Sequence, residues 1–233
     1  MEANKKKKGE DMKQKNEQSK GDGKGMRIKT FDVEFVFEEE VLATCPGDPE
    51  IASNFVAGLA PDAKSLEEEI EAIGVDAVIE KGKTIFQKDE SGNPFAWDYQ
   101  IKGLCKDYCS MLRRVPGSLS KDLQNYKKVV DGLIFAYPRK IYYVLPEAAK
   151  IGNCQRPIRV QTAQGERVSV ANSETVPAGT KIDFQIEILD PGLEKFLVEW
   201  FEYGSRRGFA QWRNSGKGRF TYSMKQKAEA TKL

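Results

Sequence analysis

Residues 31–37 carry an apolar residue at every second position. Phe31, Val33, Phe35 and Phe37 are apolar, and Asp32 and Glu34 stand between them. A strand with that period buries one face and wets the other. The pattern returns at 182–188, where Asp183, Gln185 and Glu187 separate Ile182, Phe184, Ile186 and Ile188. Strands of this kind call for an antiparallel sheet covered on one side. The covering helices are legible too. In "WDYQIKGLCKDYCSML" (97–112), Ile101, Leu104, Cys105, Tyr108 and Leu112 share one helical face, and Asp98 stands where an N-cap belongs. In "LEKFLVEWFEYG" (193–204), Leu193, Phe196, Leu197, Trp200 and Phe201 form the apolar face, and Gly204 reads as the stop.

Other segments give shorter signals. Helices are expected near 49–59, near 65–73 and across Lys121–Val130, with two short strands around Pro138. The segment 156–189 reads as strand, connection, strand, a Pro-Ala-Gly turn and strand, and "GRFTYSM" (218–224) reads as a closing strand. With insertions near 46–97 and 113–143 set aside, the order is strand, helix, strand, strand, helix, strand. The predicted class is α+β: a ferredoxin-like (RRM-like) βαββαβ core with an antiparallel sheet and a C-terminal glycine-rich loop. The Thr30–Glu38 strand and the terminal strand are expected near the sheet centre. The reading gives one domain over 26–225, a disordered basic tail over 1–25 and a short tail over 226–233. "KKKK" at Lys5–Lys8 is either a solvated charge run or a source of nonspecific phosphate affinity.

Composition excludes several functions. The 233-residue chain is 39% hydrophobic, enough for a real core, and its net charge is only +2. Affinity for a polyanion must therefore come from local patches. No apolar run approaches a membrane span, and the charged N-terminus lacks a signal segment, so a cytoplasmic protein without membrane partners is expected. There is no histidine, which removes Ser–His, Cys–His and histidine-ribonuclease chemistry. The four cysteines, Cys45, Cys105, Cys109 and Cys154, form no C-x-x-C pair. Cys105 and Cys109 share a helical face and are either half of a zinc site or, the preferred reading, buried reduced thiols. No cofactor or metal is expected.

The chemistry concentrates in "GSRRGFAQWRNSGKGRF" (204–220). Gly208, Gly216 and Gly218 would let backbone N–H groups approach phosphates. Arg206, Arg207, Arg213, Lys217 and Arg219 supply charge, and Phe209 or Trp212 a ring to stack on a base. Lys102 and Gly103, near the start of the 97–112 helix, would add amides and charge, and Tyr99 another ring. Arg156, Arg159 and Arg167 extend the patch if their strands flank the loop. The alternative is a structural turn, with Trp212 and Phe220 in the core and Arg206 and Arg207 capping helix carbonyls.

Three of these blocks, in this order, resemble the RAMP superfamily, the RNA-binding backbone proteins of CRISPR effector complexes. "YQIKGLCKDYCSML" (99–112) is similar to the element that opens the first core helix there. "VPAGTKIDFQIEIL" (176–189) is similar to the hairpin before the second helix, and "GFAQWRNSGKGRF" (208–220) to the C-terminal glycine-rich loop. Departures exist: the first block lacks the usual serines, and no arginine follows until Arg113. The resemblance implies binding of single-stranded RNA or DNA across one sheet face and along helix N-termini. It also implies self-association along the strand or companion subunits, with the 46–97 insertion as a thumb-like contact to the next copy. Two other readings stand beside it: a virus-encoded protein-interaction or assembly factor, and a metal-dependent endoribonuclease using Asp48 or Asp89. A non-catalytic binder is the expectation.

Overall fold

A computed structural model describes residues 27–47, 82–162 and 165–227, with side chains outside 158–169. In chain order the strands are β1 (Lys29–Phe37), β2 (Val41–Leu42), β3 (Cys45–Pro46), β4 (Thr84–Ile85), β5 (Gln87–Lys88), β6 (Pro94–Trp97), β7 (Ile134–Tyr137), β8 (Lys140–Tyr142), β9 (Gly152–Thr162), β10 (Gly165–Val176), β11 (Lys181–Ile188) and β12 (Phe220–Gln226). The helices are α1 (Asp98–Leu112), α2 (Tyr126–Leu133) and α3 (Glu194–Arg207). The fold is mixed α+β, and its main sheet runs β12-β1-β11-β7 with every neighbour antiparallel. β9 and β10 form a long ribbon whose base joins β2, β4 and β3, and β5, β6 and β8 make a third, small sheet.

The alternation in β1 and β11 does what its period dictates. Phe31, Val33, Phe35 and Phe37 are buried with Ile182, Phe184, Ile186 and Ile188 in one cluster that also holds the apolar faces of α1 and α3. Phe35 stacks on Phe220 at 4.1 Å and meets Phe184 and Phe201 edge-on. Cys105 and Cys109 are buried in the same cluster, and burial pushes the Cys105 thiol up to about 12, an inert packing group.

Several expectations are corrected. β12 is an edge strand, not a central one, and β7, inside the segment read as an insertion, is the opposite edge. The helix expected at Lys121–Val130 splits into a 3-10 turn (Leu119–Asp122) and α2, because Asn125 between them takes a left-handed φ of 49°. Asp98 is the first residue of α1; Trp97 is the cap, and its N–H donates to the Gln100 side chain at 2.9 Å. α3 runs through Gly204 and ends at Arg207. The tail 1–25, the helices expected near 49–59 and 65–73, and most of the thumb-like insertion lie outside the described residues. No helix among the described residues is long and apolar enough to cross a membrane.

The wet face of the sheet carries Asp32, Glu34, Asp183 and Glu187 with Lys181 and Lys225. Glu34 and Asp183 sit directly opposite on neighbouring strands. Partial burial, then the Glu34 charge, holds the Asp183 carboxyl above its usual range. A raised folded-state value means stability that is present in acid and lost as pH rises through the carboxylate range. Asp183→Asn is therefore expected to stabilise the fold at neutral pH by roughly 0.2–1 kcal/mol. The gain should vanish on acidification. Urea midpoints of the two proteins at neutral and acid pH check this, and an equal gain at both would refute it.

Candidate nucleic-acid interface

The glycine-rich loop begins where α3 meets α1. Tyr108, buried in α1, donates its hydroxyl to the Gly208 carbonyl at 2.9 Å and packs its ring against Gly204. Gly208 takes φ +90°, and a Cβ there would run into the Lys217 carbonyl. Gly218 likewise abuts Phe209: a Cβ would stand 2.9 Å from its nitrogen and closer still to its oxygen. The two arms of the loop are thus zipped together, with Phe209 N–H donating to Gly218 O at 2.9 Å.

This packing corrects the expected phosphate cradle. The N–H groups of Gly208, Gly216 and Gly218 donate to Gly204, Arg213 and Glu40 carbonyls at 2.8, 3.0 and 2.9 Å, so none is free for a phosphate. Phe209 is 2% exposed, edge-on to Phe37 and Tyr143, and cannot stack a base. Gly103 is open to solvent but lies past the first turn of α1, where N–H groups are already used within the helix. Lys102 donates to the Asp131 carbonyl at 2.9 Å and lies over the Phe135 ring. The short spacing of glycines serves backbone-to-backbone contact within the protein.

The cations fare differently. Arg213 pairs with Asp107 of α1 at 2.6 Å, and Arg207 reaches the same carboxylate oxygen at 3.7 Å while donating to Asn214. Two guanidiniums on one carboxylate leave surplus positive charge, fixed in place and about three-quarters buried. Lys217 is neutralised by Glu40 at 2.7 Å, and that hydrogen bond raises the lysine's pKa. Arg206 is exposed and donates to the Glu202 carbonyl at 2.6 Å, the capping role anticipated for it. Arg219 is exposed beside it. Beside the Arg213–Asp107 pair lies a cleft of about 180 Å³, lined by Gln100 and Gly103 of α1, Ala210 of the loop, and Cys45 and Gln87 opposite.

Arg156 joins this site: it crosses from β9 to Gln211 and Trp212 of the loop. Arg159 and Arg167 lie on β9 and β10, with side chains outside the described set. At the N-terminus of α1, Tyr99 is 54% exposed, stacks on Trp97 and lies under the Arg139 guanidinium. Asp48 lies outside the described residues. Asp89 accepts from Ser91 N–H, Asn93 N–H and the Asn93 amide at 2.8–3.2 Å, and the backbone bond from Asn93 lowers its pKa: it closes a turn. Sequence reasoning missed Asp107 and Glu40. Nothing local marks them, because their partners lie far along the chain.

No family model matches the sequence, and no curated protein matches it. Solved structures do match. A chain in the structure of the Type III-B Cmr-beta bound to cognate target RNA is similar over 97% of this chain and 68% of its own, with TM-score 0.52 and 10% identity. A chain of a Type IV-B CRISPR complex is similar over 88% of this chain and 92% of its own, with TM-score 0.41 and 12% identity. At the level of fold, the remote resemblance to CRISPR effector proteins read in the sequence is borne out.

Proposed function

We propose that this chain is a non-catalytic subunit of a CRISPR-effector-type complex that binds single-stranded nucleic acid, RNA in the first instance. Its core would be ferredoxin-like. The succession β1, α1, β7, β11, α3, β12 and the sheet order β12-β1-β11-β7 support that reading. The observation that carries the function is the pair of guanidiniums, Arg207 and Arg213, sharing Asp107 beside an open cleft. A preorganised cationic pair with surplus charge suits a phosphate better than two mobile lysines do, because its fork geometry is already fixed. The wet face of the sheet offers no surplus positive charge, its lysines being matched by Asp32, Glu34, Asp183 and Glu187, so the strand's path is assigned to the loop and α1 rather than to the sheet. The occupied carboxylate of Asp89 favours binding over cleavage. Companion subunits or further copies would lie along the strand.

Anisotropy of a labelled oligouridylate at several salt concentrations tests this. The Arg207→Gln/Arg213→Gln double variant is expected to bind more weakly. It should also flatten the salt slope by about 0.7 for each phosphate that is no longer neutralised. Its far-UV spectrum should match the parent's, with the melting temperature lower by roughly a few degrees from loss of the Asp107 pairing. No binding by the parent at low salt, or an unchanged slope in the variant, refutes the proposal.

A further inference from the structure

Arg156 is 8% exposed, yet among the described residues its partners are all uncharged. Nη1 donates to Ser173 Oγ at 3.2 Å and Nη2 to Gln211 Oε1 at 3.1 Å, while the buried Nε has no hydrogen-bond partner. The remaining partner is aromatic: the guanidinium lies over the Trp212 ring, 4.9 Å from the centroid. A buried cation whose described partners are neutral gains from a π face or an anion beside it.

The loop bends to bring these groups together. Ala210 and Trp212 both take positive φ, 62° and 53°, on either side of Gln211. Residues with a Cβ adopt that conformation uncommonly, and such outliers gather at ligand sites. Here they turn Gln211 and Trp212 toward Arg156 together. Trp212 nevertheless remains 37% exposed. With one ring face covered by a guanidinium, that exposure leaves the other to a planar ligand. Arg213, next in sequence, holds the surplus-charge pair on Asp107. A partly exposed indole and one guanidinium of that pair therefore stand on consecutive residues.

We infer that Trp212 is a stacking platform for one unpaired nucleobase and that Arg156 is the positioning residue that holds the platform. The inference rests on the nucleic-acid reading above and deepens it: the ligand is single-stranded, because a duplex keeps its bases in their own stack. Recognition is independent of base identity, since every base offers a π face.

The full chain is titrated with a labelled oligouridylate, with the same oligonucleotide made abasic, and with a duplex, following anisotropy and tryptophan emission. Trp212→Ala is expected to weaken oligouridylate binding roughly five- to 150-fold at fixed salt, with the salt slope unchanged. In a Trp97→Phe background, which removes the half-buried indole at the head of α1, it should remove the oligonucleotide-induced change in emission, which the buried Trp200 would not supply. The abasic oligonucleotide should bind the parent and Trp212→Ala alike. Arg156→Lys keeps the charge but not the two directed hydrogen bonds or the planar stack. It should retain the salt slope, lose part of the emission change and fall toward Trp212→Ala in affinity. Parental affinity in Trp212→Ala, an emission change that survives there, or equal binding of abasic and base-bearing oligonucleotides by the parent overturns the inference and leaves the phosphate site standing. Failure of the parent to bind any oligonucleotide at low salt overturns both.

Discussion

Gly204→Ala is expected to destabilise the protein by about 3 kcal/mol. The melting temperature should fall by roughly 6–12 °C. Two effects of the substitution oppose each other. Alanine in a helix interior is favoured over glycine by about 1 kcal/mol, and Gly204 lies inside α3. Against that, the new methyl would stand 2.8 Å from Cζ of Tyr108 and nearer still to Cε2. The ring has nowhere to go. It is fully buried, edge-on to Tyr203, and tethered through its hydroxyl to Gly208 O. Relief requires α1 and α3 to separate, which opens the cluster both helices share, so the clash wins. Tyr108→Leu in the same protein removes the ring. A double-mutant cycle should show coupling, with Gly204→Ala much less costly in that background. A cost below about 1 kcal/mol in the parent, or additivity in the cycle, would mean that the helices give way more easily than their packing implies.

That glycine shows where the sequence was and was not readable. Its place at the end of an amphipathic run matched a helix stop, and nothing local said otherwise. Its role depends on Tyr108, almost a hundred residues earlier, and only the approach of the two helices makes a Cβ intolerable. The same division holds along the chain. Period-two and period-3.6 patterns are local, so β1, β11, α1 and α3 were placed correctly from Phe31–Phe37, Ile182–Ile188 and the two apolar stripes. Strand order is not local. Ile134–Tyr137, legible as one of two short strands around Pro138, became the outer strand of the main sheet only through pairing with β11. At the candidate site, the cations were visible as residue types, but their availability was set by distant carboxylates. Asp107 holds Arg207 and Arg213, and Glu40 neutralises Lys217. Glycines read as room for phosphate turned out to be room for the loop's own backbone, because a Gly-rich, basic sequence looks the same in either role.

Glu199→Ala should cost about 2–4 kcal/mol, although the residue is a partly exposed acid on a helix face, where substitution is ordinarily mild. Its carboxylate ties α3 to the 3-10 turn at Leu119–Asp122. Oε1 accepts from Leu119 N–H at 2.6 Å, and Oε2 accepts from Ser120 N–H at 3.0 Å and from the Ser120 hydroxyl at 2.6 Å. Ser120 is itself completely buried, and its hydroxyl oxygen accepts from Trp200 Nε1–H at 2.9 Å. One carboxylate thus satisfies three donors and orients a fourth, in a place that water reaches on one side only. Removing it leaves the Ser120 donors without an acceptor, and an unsatisfied buried group costs more than a made bond contributes. Glu199→Gln keeps one oxygen and should lose roughly half as much. The urea midpoint should fall in both variants with the slope unchanged. Amide exchange at Leu119 and Ser120 should quicken before the rest of the core. If Glu199→Ala shifts the midpoint no more than an ordinary surface change, water has replaced the carboxylate, and the 3-10 turn is held by Trp200 and its packing alone.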